Sequence, residues 1–192
     1  MQATAGTALS RSTGPTASPP TWWWTLALAA GWVALDQLTK LWAVRALTDA
    51  PPIDVAGDWL QLRLVYNSGA AFSLGTGSTW VFTVLASVVV TLLVAYARRV
   101  THRGYAVALA LLLGGAAGNL TDRLLREPGF AHGEVVDFFA LPNFPVFNVA
   151  DIGITCAAVL IGLLVLRGED FYEPEQATGS DSRGAGPEAG PR

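Results

Sequence analysis

Cysteine occurs once in this 192-residue chain and histidine only twice. No disulfide framework can organise the fold, and Cys156, His102 and His132 do not make a zinc cluster. Charge is scarce as well: Asp, Glu, Lys and Arg make up 14% of the residues, against about 25% in an ordinary soluble domain. The net charge of −3 selects no charged partner. No basic stripe runs along any segment, so nucleic acid is not an expected ligand. What the chain has instead is apolar. Hydrophobic residues reach 52% and gather in long blocks, which predicts a polytopic membrane protein.

Four blocks approach the ~20 apolar residues needed to cross a bilayer. They run from 22 to about 42, from 80 to 97, from 105 to about 120, and from about 149 to 166. The first is not expected to be a cleavable signal, because it runs into Asp36 and Lys40 without a convincing small-residue cleavage site. Cys156 lies inside the fourth and is expected to be buried. Residues 1–20 and 173–192 are rich in small and polar residues and are expected to be disordered tails. A membrane domain is expected over 21–172.

Lys and Arg orient the spans. The connection between the second and third blocks reads "RRVTHR", with Arg98, Arg99 and Arg103. The positive-inside rule makes it cytoplasmic, and four spans then put both termini there too. Arg11 and Arg167 agree with this. Lys40, Arg45, Arg63, Arg123 and Arg126 oppose it, although they are interleaved with acids. The connections at about 43–79 and 121–147 face outward. In the first, "WLQLRLVY" alternates Leu60, Leu62, Leu64 and Tyr66 with Trp59, Gln61, Arg63 and Val65, the period of a strand with one apolar face. Glycines follow at Gly69, Gly75 and Gly77, marking a turn. The expected architecture is all-α and polytopic, with four transmembrane helices and a small β element plus a loop or short helix on the outer face.

With this topology the polar residues at the span ends share one membrane face: Asp36, Lys40, Asn67, Asn119, Asp122, Arg123, Asp137, Asn148 and Asp151. Ionisable groups at membrane depth are functional candidates. Each also has a plainer reading. Asp36 and Lys40 have the i, i+4 order of a helical ion pair. Asn148 and Asp151 read as the cap of the fourth helix. Asn119, Asp122 and Arg123 share one helical face, as at a solvated helix end. Gly114 and Gly118 have the small-xxx-small spacing of close helix packing. Asp137, among Val135, Val136, Phe138 and Phe139, resists a plain reading: it lies in the outer loop, and desolvation there raises a carboxyl pKa and calls for a partner.

The stretches "DQLTK" (36–40), "NSGAAFSL" (67–74), "GGAAGNLTDR" (114–123), "VVDFF" (135–139) and "FNVAD" (147–151) together resemble the bacterial lipoprotein signal peptidases, or signal peptidase II. All five occur in the family's order, and the resemblance covers roughly 22–166. It implies an aspartic protease of the bacterial cytoplasmic membrane, using neither metal nor cofactor, that cuts the signal peptide from prolipoproteins just before a diacylglyceryl-modified cysteine. By the same resemblance Asp137 and Asp151 are the catalytic pair, near the outer leaflet. Asn67, Asn119, Arg123 and Asn148 line the substrate site, and Asp36, Lys40 and Asp122 support it. The implied partners are lipid-modified prolipoproteins and membrane lipids, with no oligomer implied. The stretch "LLREPGFAHGE" before Val135 is longer than the family's usual loop, and His132 within it inherits no role.

Two other readings of the residues remain. Ser68 and Lys40 could form a Ser-Lys protease dyad, although Ser68-Gly69 reads as a turn. A small carrier or proton pathway could use membrane carboxylates, although such charges usually sit near the midplane.

Overall fold

A computed structural model describes residues 22–69 and 79–169. The two expected tails and the turn at Gly75 and Gly77 lie outside the described residues. The elements are α1 (Trp22–Leu47), β1 (Ile53–Asp54), β2 (Gln61–Asn67), α2 (Thr79–Ala97), α3 (Arg103–Leu125), β3 (Val135–Ala140) and α4 (Val149–Leu166). Three helices, α2, α3 and α4, are long and apolar enough to cross a membrane. The 26-residue α1 carries Asp36, Lys40 and Arg45 in its second half. Among the described residues no short helix lies in the α1–α2 or α3–α4 connection, where a loop or short helix is expected.

Helix α3 is the centre of the bundle and packs on α1, α4 and α2. Its glycines explain how. A Cβ at Gly114 would lie 2.7 Å from the Trp32 Cβ and 2.9 Å from the Ala29 carbonyl, and one at Gly118 would lie 2.6 Å from the Asp36 carboxylate. One at Gly115 would run into the Ala150 carbonyl of α4. The expected small-residue packing is therefore present, and it extends to α4 through Gly115. Helix α2 is peripheral: only Thr79, Thr83 and Ala97 are buried along it. Cys156 is exposed on the outside of α4, which corrects the expected burial, because the apolar run of α4 faces outward as well as inward.

The connections between α1 and α2 and between α3 and α4 build a three-stranded antiparallel sheet, ordered β1-β2-β3. Asp137 thus stands on a strand and not in a loop. The expected single apolar face of β2 is also corrected. Leu62 opposes Phe139 and Val65 opposes Asp137, so β2 takes one residue more than β3 over this interval. This bulge moves Leu62, Val65 and Asn67 to the same sheet face as Asp137 and turns Tyr66 outward, 49% exposed. One extra residue reverses every later side chain, because the strand period is two. The opposite face carries Val136 and Phe138, which pack with Ala43 and Leu47 of α1 and Val149 of α4.

The long loop after α3 folds back on the helix end. Gly133 donates its N–H to the Arg123 carbonyl, and Glu134 donates to the Glu127 carbonyl. The buried Thr83 hydroxyl of α2 donates to the Ala131 carbonyl at 2.8 Å.

Gly118→Ala is expected to lower the thermal midpoint in detergent by the equivalent of about 1–3 kcal/mol, since the new methyl meets a fixed carboxylate. Gly31→Ala, whose methyl meets nothing within 4 Å, is expected to be neutral or to stabilise by about 0.5–1 kcal/mol. Equal midpoints for the two variants would remove Asp36 as the constraint on α3.

Candidate active site

Eight of the nine polar candidates join one hydrogen-bonded set that begins in α1. Asp36 and Lys40 are both fully buried and lie 2.8 Å apart, so the i, i+4 ion pair is present. The Lys40 ammonium also meets Asp122 Oδ2 at 2.8 Å and donates to Asn119 Oδ1 at 2.9 Å. Asp122 is 1% exposed, so this end of α3 is not the solvated surface that its spacing also allows. The second Asp36 oxygen accepts from the Ala150 N–H of α4 at 2.9 Å. Asp122 Oδ2 accepts from the Val136 N–H of β3 at 3.2 Å. The ion cluster therefore holds the starts of α4 and of β3, the two segments that carry Asp151 and Asp137.

Three asparagines occupy the space between these segments, and their amide orientations follow from partners of fixed polarity. Lysine can only donate, so the Asn119 oxygen faces Lys40 and its NH₂ donates to Asp151 Oδ1 at 2.9 Å. The Asn148 oxygen accepts from the Asp151 N–H at 3.0 Å. Its NH₂ donates to Asp137 Oδ1 at 2.6 Å and reaches Asn119 Oδ1 at 3.0 Å. The Asn67 oxygen accepts from the Gly69 N–H at 2.8 Å, which leaves its NH₂ to donate to Asp137 Oδ2 at 2.9 Å. Asn67 reaches Asp137 diagonally across the ladder, an approach that the bulge permits.

The capping reading of Asn148 and Asp151 is also true. Asp151 Oδ2 accepts from the Asn148 N–H at 3.1 Å, completing a reciprocal capping box on α4. One Asp151 oxygen thus holds the helix start while the other faces Asn119. Asp137 and Asp151 share Asn148 as a common neighbour, and each accepts two hydrogen bonds from uncharged donors. Asp137 is 2% exposed. Burial pushes its pKa up to about 6, and the charge of Asp151 adds to this, while the hydrogen bonds from Asn67 and Asn148 and the charge of Lys40 oppose it.

Arg123 stands apart from the hydrogen-bonded set. Its guanidinium lies over the Phe82 ring, 5.4 Å from the centroid, and its charge faces Asp137, Asp122 and Asp151. One terminal nitrogen is buried without a partner. Two residues outside the nine candidates also join the cluster. Arg126 Nε meets Asp122 Oδ1 at 2.6 Å, and the i, i+4 spacing, acid first, was the available signal. Gln37 donates to Asp36, Asp122 and the Gly118 carbonyl, and nothing local distinguishes it from a polar residue facing lipid headgroups. The Ser68/Lys40 dyad finds no support: Lys40 is committed to Asp36, Asp122 and Asn119, and Ser68 contributes its backbone carbonyl to the Thr79 hydroxyl.

The raised pKa of Asp137 has a signed consequence. The folded protein takes up a proton near pH 6, whereas the unfolded chain does so near 3.8. Stability from this group is therefore gained as pH falls from about 7 toward 4, by on the order of 3 kcal/mol. Thermal midpoints in detergent, followed from pH 7.5 to 4.5, are expected to show this rise against the background of other groups. Asp137→Asn is expected to flatten the slope, and an unchanged slope would separate Asp137 from it.

Residues 28–167 match the family described as signal peptidase (SPase) II. A lipoprotein signal peptidase of Streptomyces griseus is 48% identical over 136 residues, covering 71% of this chain and 69% of that protein. One from Mycolicibacterium smegmatis is 48% identical over 146 residues, covering 76% of this chain and 62% of that one. A bacterial membrane enzyme solved in meso at 1.9 Å shares the fold with a TM-score of 0.66 and 29% identity over 74% of this chain and 92% of its own. The chain belongs to the signal peptidase II family of aspartic membrane proteases.

Proposed function

We propose that this protein removes the signal peptide from prolipoproteins, cutting before a diacylglyceryl-modified cysteine, with Asp137 and Asp151 as the catalytic pair. The observation that carries this reading is the shared Asn148: a strand and a helix each bring one carboxylate to it. Two neighbouring carboxylates cannot both ionise easily, so the pair keeps one proton. The burial of Asp137, which raises its pKa, favours the proton there.

Each step then balances. Asp151, ionised, takes a proton from water as the water oxygen attacks the scissile carbonyl carbon. Asp137 gives its proton to the carbonyl oxygen. In collapse, Asp151 returns a proton to the departing amine nitrogen as the C–N bond breaks, and Asp137 recovers the proton from the hydroxyl that becomes the new carboxyl group. The three asparagines hold the carboxylates in register, and Arg123 offers donors to a substrate carbonyl or lipid ester.

The site lies at the end of the bundle where β2, β3 and the start of α4 meet. This supports a topology in which α1 also crosses, making four spans, with both termini and the loop carrying Arg98, Arg99 and Arg103 in the cytoplasm. The site then faces the outer leaflet, where the lipidated cysteine of a membrane-spanning signal peptide sits. A reporter fused after Leu166 should be active only on the cytoplasmic side. Activity of an exported reporter at that position would invert the topology.

Purified protein should cleave a diacylglyceryl-modified prolipoprotein and leave the unmodified form intact. Asp137→Asn and Asp151→Asn should each reduce turnover by about 10²–10⁴-fold, the range for losing acid–base assistance. The double variant should be less than about tenfold worse than either, because the two act together. Substantial cleavage by Asp151→Asn would return Asp151 to its capping role alone.

A further inference from the structure

We infer that Phe82 is a positioning residue: its ring fixes Arg123 and the Asn67 turn together, so that α2 sets how both side chains meet the substrate. No motif points to Phe82, which lies in an otherwise featureless apolar stretch of α2. Its surroundings are specific. One ring face carries the Arg123 guanidinium at 5.4 Å from the centroid. The ring edge lies against Gly69, where an added Cβ would stand 2.7 Å from Cε2 and 2.8 Å from Cδ2.

Gly69 adopts φ +87°, and its N–H holds the Asn67 oxygen. That bond turns the Asn67 NH₂ toward Asp137. Displacing the ring therefore has two routes to the site: through Gly69 to Asn67, and directly to Arg123. The neighbouring Thr79 hydroxyl donates to the Ser68 carbonyl at 3.2 Å, so this end of α2 is bound to the same turn.

An arginine has five donors and many rotamers. Here one terminal nitrogen is buried without a partner, so hydrogen bonds do not account for where the whole guanidinium sits. An aromatic face attracts a cation most strongly where water is excluded. The ring thus holds the fork ready while leaving donors for an incoming carbonyl or ester oxygen.

The kinetic part of this inference rests on the proposed function, and the spectroscopic part does not. Site-specific replacement of Phe82 by 3,4,5-trifluorophenylalanine keeps the ring's shape and weakens the negative charge of its face. With a diacylglyceryl-modified prolipoprotein, this protein should show KM raised about 3- to 30-fold, the span of a cation–π contact, with kcat within about twofold. The same replacement in an Arg123→Ala background should have no further effect. Phe82→Leu should behave as the fluorinated protein does, with an added effect from the freed Asn67 turn. Unchanged KM on fluorination, a fall in kcat alone, or an equal effect without Arg123 would each overturn the assignment. Independently of activity, the Arg123 Nε–H proton resonance should lie upfield in the parent and move downfield in Phe82→Leu as the ring current is lost. Coincident resonances would show that the ring does not hold Arg123. Failure of the parent to cleave, with the resonance displaced as expected, would sink the proposed function and leave the contact standing.

Discussion

A lysine ammonium with no exposure to solvent lies at the meeting point of α1 and α3. Such a charge is tolerable only if fully paired, because removing one partner of a buried ion pair costs about 3–5 kcal/mol. Lys40 is paired twice, with Asp36 and Asp122, and Asp122 is paired again with Arg126. Two cations and two carboxylates make the cluster neutral. Its value to the fold lies in the bonds left over. The remaining Asp36 oxygen holds the Ala150 N–H, and Asp122 holds the Val136 N–H. Helix and strand starts that would otherwise carry orphan donors are thereby fixed to the ions.

The same lysine reaches Asp151 only through Asn119. This separation matters chemically. A cation in direct contact with Asp137 would favour its ionisation and lower its pKa. An amide in between passes on position without passing on a full charge. Each carboxylate instead receives two neutral donors, while burial keeps the pKa of Asp137 near 6. The asparagines are thus held by groups of fixed polarity at one end, a lysine or a backbone N–H, and they present NH₂ to a carboxylate at the other.

Helix α2 supplies a different kind of constraint. Its side is little buried, yet its N-terminal end touches both the α1–α2 and the α3–α4 connections: Thr79 and Phe82 meet the turn after β2, and Thr83 meets the loop after α3. The helix with the fewest internal contacts is therefore the one that ties the two loops flanking the site.

The sequence by itself determined the helices, because apolar content over about 20 residues is a local property that a bilayer or a bundle reads directly. The apolar blocks at 80–97 and 149–166 correspond to α2 and α4 within a residue. Helices α1 and α3 run five residues past their apolar limits, since the residues beyond those limits include no glycine or proline to break them. The order of the five motifs carried the family, and the capping pattern at Asn148 and Asp151 was legible too. Tertiary structure decided the rest. "VVDFFA" lacks polar alternation and stands as β3 only because β2 pairs with it. The bulge has no glycine to announce it, yet it alone brings Asn67 to the face of Asp137. Whether Asp122 is solvated or buried could not be read from its spacing, because i, i+3, i+4 describes a face and not what covers it. The meeting of Asp137 and Asp151 at one asparagine depends on a strand register and a helix contact far apart in the chain. Such long-range partners leave no local periodicity behind.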